Sequence, residues 1–144
     1  MTIRTKGESC MNSMFEDVVD FHRKVLIIPD QMSPTLISQE FIMERFRFMS
    51  EEVEEFVDAG IKGDIVGVAD ALADVIYVAL GTAHMMNLPF QAIWDHVHRA
   101  NMRKVRGGTK RGNSIDARKP EGWVSPEAGI ATIILGEINA TPES

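Results

Sequence analysis

The sequence lacks the residues and segments on which several functional classes depend. Its single cysteine, Cys10, excludes an internal disulfide and fits a reducing compartment. The longest apolar run, VIYVALGTA at 75–83, falls far short of the roughly 20 residues that a membrane-spanning helix needs. Residues 1–10 show no apolar h-region, so we expect no signal peptide. These absences predict a cytoplasmic protein with no membrane partner.

Several catalytic motifs are also missing. The sequence has no P-loop, no nucleophile elbow and no Cys–His pair that would support covalent catalysis. The HVH sequence at 96–98 does not place both imidazoles on one helical face, and no Glu-x-x-His motif of a ferritin-like di-iron site is present. Carboxylates are therefore the most informative groups in the chain.

The charges are distributed unevenly along the chain. The net charge of −6 argues against a nucleic-acid partner. Residues 37–75 carry ten acids against three cations, whereas residues 99–119 carry eight cations against one acid. An acidic middle is thus followed by a basic tail, which on its own would usually be a solvated segment.

The apolar spacing predicts an all-α protein of one domain over residues 1–144. Helical periodicity is found at 12–26, from a Ser33 cap to about residue 58, at 64–86 and at 90–105. These segments predict an antiparallel four-helix bundle-like core over about 12–106, followed by an irregular basic extension over 107–144. The third helix is apolar almost all round and is expected to be central and buried. The segment at 128–138 fits either a strand or a helix.

The second predicted helix contains the acidic run SEEVEEFVD at residues 50–58. Glu52 and Glu54 lie on opposite flanks of the helix's apolar stripe, which is formed by Ile42, Phe46, Met49, Val53, Phe56 and Val57. Glu51 and Glu55 lie on the side of Glu52, a side that also carries Phe41 and Phe48. A Glu-rich helix is most often a solvated face, but these apolar neighbours favour an inward role for Glu52 and Glu55. Glu54 is predicted to be a surface residue.

The third predicted helix carries a polar stripe of Asp70, Asp74 and Tyr77 at i, i+4 and i+7. A buried ionised carboxylate is costly unless it is paired or binds a metal. The two aspartates could therefore pair with Arg45 or Arg47, or they could bind metal together with Glu52 and Glu55 across an antiparallel helix pair.

Carboxylate ligands without Cys or His favour Mg²⁺ or Mn²⁺ over zinc. Mg²⁺ usually binds a few carboxylates together with substrate phosphate oxygens. The basic segment is where contacts to those phosphates are expected. Asn101 and Lys104 are one turn apart on the fourth predicted helix, and they share a face as a phosphate clamp requires.

Five sequence blocks together carry a resemblance to a known superfamily. They are FHRK at 21–24, RFRFMSEEVEEFVDA at 45–59, DALADVIYVALGTA at 70–83, VHRANMRK at 97–104 and KPEGWVSPE at 119–127. Over about residues 15–126 the chain resembles the all-α nucleoside triphosphate pyrophosphohydrolases, which are MazG-like and phosphoribosyl-ATP pyrophosphohydrolase-like, and especially their deoxynucleotide-directed branch. That superfamily often has Glu-x-x-Asp as its second motif. Here Ala71 stands three residues before Asp74, so Asp70 would substitute for the glutamate.

The resemblance implies cleavage of a nucleoside triphosphate substrate to a monophosphate and pyrophosphate. It implies two or more Mg²⁺ or Mn²⁺ ions held by Glu52, Glu55, Asp70 and Asp74, with Glu51 as catalytic base or as a further ligand. Substrate contacts would come from Asn101, Lys104, Tyr77, Lys110 and Arg111. A homodimer or homotetramer is implied as well, with which an exposed Phe41/Phe48 face agrees. The alternatives are a non-enzymatic helical interaction module and a nucleotide-binding sensor.

Overall fold

The computed structural model describes residues 12–108 and 116–140. It is mainly helical, as the sequence predicts. The helices are α1 (Met14–Phe21), α2 (Gln39–Lys62), α3 (Ile65–Met85), α4 (Phe90–Met102) and α5 (Glu127–Ala140). Strands β1 (Val105–Gly107) and β2 (Asp116–Arg118) form a short antiparallel ribbon. The prediction of an all-α protein with helical packing typical of a bundle is therefore confirmed.

A capping box starts α1. The Ser13 hydroxyl accepts a hydrogen bond from the Glu16 backbone N–H, and the Glu16 carboxylate accepts one from the Ser13 N–H. A π-helical turn, His22–Leu26, continues α1 and ends at Ile27, whose φ of 54° is left-handed. The helix predicted over 12–26 thus changes hydrogen-bonding pattern before it ends.

The second helix begins later than the sequence predicts. Ser38, rather than Ser33, is the N-cap of α2, and its hydroxyl accepts a hydrogen bond from the Phe41 N–H at 3.2 Å. The segment before Ser38 is not helical, and the Thr35 N–H donates to the Met86 carbonyl. The helix ends at Gly63, whose φ of 70° is left-handed and favours glycine.

The chain divides into two compact units. The first contains Met1–Asp30 and Ile37–Met85, and the second contains Gln31–Leu36 and Met86–Ser144. In the first unit, α3 packs against both α1 and α2. The buried side chains of this unit are Val18, His22, Ala71, Leu80, Ala83 and His84. In the second unit, α4 packs against α5, and Ile93 and Ala100 are buried.

The expectation that α3 is buried is wrong. Its buried residues are limited to Ala71, Leu80, Gly81, Ala83 and His84, while Ile65 and Val66 are about three-quarters exposed. The stripe assigned to the core on α2 is also largely uncovered, and Phe46 is 57 % exposed. Both helices therefore present apolar side chains that the described residues leave exposed.

α3 is the one helix of the described ranges long and apolar enough to cross a membrane. The core helix of a soluble protein passes the same test. α3 carries Asp70 and Asp74 near its centre, where ionised groups in a bilayer are costly. The fold is consistent with a soluble protein.

The C-terminal part has more regular structure than an irregular extension. α4 ends at Met102, so Lys104 lies beyond the helix on which the sequence places it. The Lys104 N–H instead donates to the Asn101 carbonyl at 3.0 Å, closing a turn before β1. The segment at 128–138 is helical and lies within α5. Lys110 and Arg111 lie outside the described residues.

Candidate active site

Contacts at both ends of the α2–α3 pair define its antiparallel register. At one end, Arg45 Nε donates to Thr82 Oγ1 and Nη2 donates to the Val78 carbonyl, each at 2.9 Å. At the other end, the Asp64 N–H donates to the Ala59 carbonyl at 2.9 Å. There the helices are so close that a Cβ added at Gly67 would lie 3.0 Å from Ala59 Cβ. The glycine permits this approach.

This register places Glu52 opposite Asp74. Two turns from Ala59 toward Arg45 lies Glu52, and two turns from Gly67 in the same direction lies Asp74. Both side chains are half-buried between the helices. One sequence-based alternative groups Glu52 and Glu55 with Asp70 and Asp74 across an antiparallel pair. The structure has Glu52 and Asp74 on the facing sides of α2 and α3.

Three more acids act electrostatically on Glu52. Partial burial raises the pKa of Glu52 above its ordinary 4.5, and the charge of Asp74 raises the pKa further. Smaller contributions in the same direction come, in decreasing order, from Glu55, Glu51 and Asp70. We call these five residues, Glu51, Glu52, Glu55, Asp70 and Asp74, the acidic seam. Glu51, Glu55 and Asp70 are exposed, as is Glu54, which makes no such contribution to Glu52.

No cationic side chain within residues 12–108 and 116–140 forms an ion pair with the acidic seam. The ion pairs among the described residues are Arg23–Asp30, Lys24–Asp20 and His84–Asp30, and none involves the seam. Arg45 instead donates to α3 groups and lies 5.5 Å from the Phe48 ring centroid. The alternative in which Arg45 or Arg47 pairs with Asp70 or Asp74 is therefore not what the structure shows.

The donor chemistry of the seam fits a hard divalent cation, because all its ligand atoms are carboxylate oxygens. Within residues 12–108 and 116–140, no group of three or more His, Cys, Asp or Glu side chains forms a ready-made metal site. The seam therefore has the composition and the charge for metal binding, while the side chains do not converge into a closed set of ligands.

Tyr77 lies one turn beyond Asp74 on α3 and borders an apolar cavity. Its ring packs edge-on against Phe21, with centroids 5.5 Å apart and planes at 78°. The cavity has a volume of about 310 Å³ and is lined by Met14, Asp17, Val18, Ala73, Ile76, Tyr77 and Leu80. Its volume is at the lower end of the range for small-molecule pockets. The sequence suggests Tyr77 as a substrate contact, but it does not predict that α1 supplies the opposite wall.

Residues 16–101 match a family model of phosphoribosyl-ATP pyrophosphohydrolase. This range covers more than half of the chain and includes the acidic seam, Tyr77 and Asn101. The chain belongs to the phosphoribosyl-ATP pyrophosphohydrolase family. The family is part of the MazG-like superfamily, as the sequence blocks indicate. No curated protein matches the chain.

A member of this pyrophosphohydrolase family acts on a nucleotide phosphoanhydride, so positive groups near phosphate are expected. In the second unit, Asn101 is exposed at the end of α4, and Lys104 Nζ lies 5.2 Å from the Trp123 ring centroid. Lys119 Nζ lies 4.9 Å from the same centroid. The sequence patterns predict no role for Lys119 and Trp123, although both lie in the block KPEGWVSPE at 119–127. The sequence feature that could have indicated a role for them is a tryptophan between Gly122 and Pro126 in a basic segment.

Proposed function

We propose that this pyrophosphohydrolase cleaves a nucleoside triphosphate between its α and β phosphates, releasing a monophosphate and pyrophosphate. The observation that carries the proposal is the clustering of four acids around Glu52, all inside the range that matches the family. The role proposed for this reaction is control of the nucleotide pool in the cytoplasm.

In this proposal Glu52, Glu55, Asp70 and Asp74 hold two or more Mg²⁺ or Mn²⁺ ions. The bound metal would neutralise phosphate charge and lower the pKa of a water molecule. Without metal, burial and then the repulsion of the neighbouring carboxylates raise the pKa of Glu52. Glu52 and Asp74 are half-buried, so water would replace their contacts to the metal less readily than those of the exposed ligands.

The remaining residues of the proposal orient the water and the substrate. Glu51 precedes Glu52 on α2, and its side chain is exposed. It can therefore accept a proton from water or serve as a further metal ligand. Asn101 and Lys104 would donate to phosphate oxygens. Lys110 and Arg111 stay predicted substrate contacts outside the described residues.

The cavity beside Tyr77 is the proposed contact for the nucleoside. The cavity is apolar and lies next to Asp74 along α3. A planar base could therefore pack against Tyr77 while the phosphates of the same nucleotide stay near the acidic seam. A deoxynucleotide is the proposed substrate, with a dUTP-, dCTP- or dGTP-type base.

The exposed apolar residues of α2 support the proposal of a homodimer or homotetramer. Phe41, Phe46, Phe48, Val53 and Val57 are each between 41 % and 57 % exposed. Exposed apolar residues along one helix are typical of a surface that another subunit covers. Sedimentation or light scattering of the purified chain would test this.

The decisive experiment incubates the protein with each nucleoside triphosphate and deoxynucleoside triphosphate, with Mg²⁺ or with EDTA, and measures pyrophosphate. We expect pyrophosphate from at least one deoxynucleotide, only when divalent metal is present. Release of orthophosphate alone, no product from any nucleotide, or a rate unchanged by EDTA would contradict the proposal.

A further inference from the structure

Trp123 is surrounded by cationic side chains in the second unit. The ammonium groups of Lys104 and Lys119 lie 5.2 and 4.9 Å from its ring centroid, within the distance of a cation–π interaction. Each lysine donates through three N–H groups, and contact with a ring face leaves donors for another acceptor. Two lysines that would otherwise move independently are thus held on one aromatic side chain.

The indole is itself tied to the end of α4. Trp123 Nε1 donates a hydrogen bond to the Ala100 carbonyl at 2.8 Å, and Ala100 is fully buried. Ala100 is one turn before Lys104, so this bond sets the ring in register with the Lys104 backbone. The Trp123 N–H also donates to the Pro120 carbonyl, which closes the turn that follows Lys119. The ring is therefore fixed to the segments that carry both lysines.

An open cavity lies at the same place. Its volume is about 360 Å³, and its lining residues are Arg103, Pro120, Glu121, Gly122, Trp123 and Val124. Arg103 adds a third cation, while Glu121 is the one acid in the lining. No ion pair among the described residues involves Lys104 or Lys119. Lys104 and Lys119 do not line the cavity, but they contact the Trp123 ring that does, so three cations and one acid lie around this aromatic wall. That surplus of positive charge is suited to a compact, multiply charged anion.

We propose that Lys104, Lys119 and Arg103 form a binding site for a pyrophosphate group, with Trp123 as the positioning residue that holds both lysines. The group is either the β,γ portion of the triphosphate substrate or the released pyrophosphate. This assignment rests on the proposed function for its ligand. Lys119 and Trp123 lie outside the range 16–101 that matches the family.

The test titrates inorganic pyrophosphate into the full-length chain in EDTA, which removes metal-dependent binding from the measurement. Trp94→Phe leaves Trp123 as the single tryptophan, because the sequence has two. We expect a saturable change in Trp123 emission and a matching calorimetric Kd. Lys119→Met should raise Kd roughly tenfold, the loss of one charge-assisted hydrogen bond. Lys62→Met, an exposed lysine of the first unit, is the matched control and should leave Kd unchanged.

Two substitutions separate positioning from charge. Trp123→Leu removes the ring but no charge, and we expect it to raise the calorimetric Kd about as much as Lys119→Met. Trp123→Phe keeps an aromatic face, so its Kd should lie between wild type and Trp123→Leu. Circular dichroism melting shows whether each variant is folded. If pyrophosphate fails to bind at millimolar concentration, or if Lys119→Met and folded Trp123→Phe both keep the wild-type Kd, the proposal is overturned.

A non-hydrolysable α,β-methylene deoxynucleotide distinguishes the two sources of the pyrophosphate group. Its competition with inorganic pyrophosphate would assign the site to the substrate, whereas binding without competition would assign it to the released product. The outcome is independent of turnover. If pyrophosphate binding depends on Lys119 and Trp123 but no nucleotide is hydrolysed, the anion site stands and the proposed function fails. If hydrolysis occurs but pyrophosphate binding depends on neither Lys119 nor Trp123, only the proposed anion site is contradicted.

Discussion

His22 Nδ1 and His84 Nδ1 lie 2.9 Å apart in the buried part of the first unit. Such a contact requires one nitrogen to carry a proton and the other to accept it, so the two Nδ1 atoms cannot both be protonated. His84 Nε2 is 3.2 Å from Asp30 Oδ1, and Asp30 is paired with Arg23 at 2.9 Å. The network ties the π-helical turn after α1 to the end of α3.

We predict that the protein loses stability as the pH falls below about 6.5. Burial, then the charge of His84, then that of Arg45 lower the pKa of His22 below its ordinary 6.5. The unfolded chain therefore takes up this proton more readily than the folded one. The free energy of unfolding should fall as pH drops from 6.5 to the folded pKa, by at most about 1.4 kcal/mol per pH unit.

Urea unfolding between pH 5 and 8 measures this dependence. His22→Asn should flatten it, and His98→Asn, a change at an exposed histidine, should not. The pKa of Asp30 is lowered by hydrogen bonds from Arg23 and His84, so its contribution is lost only below its ordinary 3.8 and outside this window. A wild-type profile that is level from pH 7 to 5 would show that the histidine pair does not control stability.

We predict that Glu52→Gln stabilises the metal-free protein at pH 7. The raised pKa of Glu52 means that its charged form is disfavoured in the folded state, so a neutral amide removes both partial desolvation and repulsion. Thermal melting in EDTA should give a higher Tm for the variant. In Mg²⁺ the order should reverse, because the variant loses a ligand. Glu54→Gln is the control, and equal Tm values in all conditions would contradict the prediction.

We predict that Glu55→Gln or Asp74→Asn lowers turnover by roughly 100-fold or more. Losing a residue that only supports a metal ligand already costs up to about 100-fold, and these residues are proposed to be ligands themselves. Both changes preserve size and remove one carboxylate charge. The variants should keep the oligomeric state and circular dichroism spectrum of the wild type, and Glu54→Gln should keep its activity. Full activity in either variant would remove that residue from the proposed metal ligands.

We predict that Arg45→Met destabilises the protein by about 2 kcal/mol without abolishing nucleotide affinity. The substitution removes the hydrogen bonds to Thr82 and Val78, which are worth about 1 kcal/mol each. Arg47→Met, at an exposed position on the same helix, is the charge-matched control. Urea unfolding gives the free energies. Equal stability of the two variants would show that Arg45 does not hold α2 against α3.

The helices of the fold are largely predictable from local sequence. The helical periods of α2 and α3 depend on neighbouring residues, and both are predicted, although α2 continues past the expected residue 58 to Lys62. The start of α2 is not predicted correctly, because Ser33 and Ser38 are both acceptable N-cap residues. Only Ser38 is followed by backbone that is free to continue as helix, since Thr35 is hydrogen-bonded to Met86.

For the acidic seam, the sequence by itself determined which carboxylates share a helical face, since the 3.6-residue period fixes this for Glu52 and Glu55 on α2 and for Asp70 and Asp74 on α3. The tertiary structure alone decided that Glu52 stands opposite Asp74, because the register depends on Arg45 bonding to α3 and on Gly67 admitting Ala59. It also decided that Lys104 and Lys119 meet on Trp123. Contacts between residues distant in sequence depend on packing, which periodicity cannot specify.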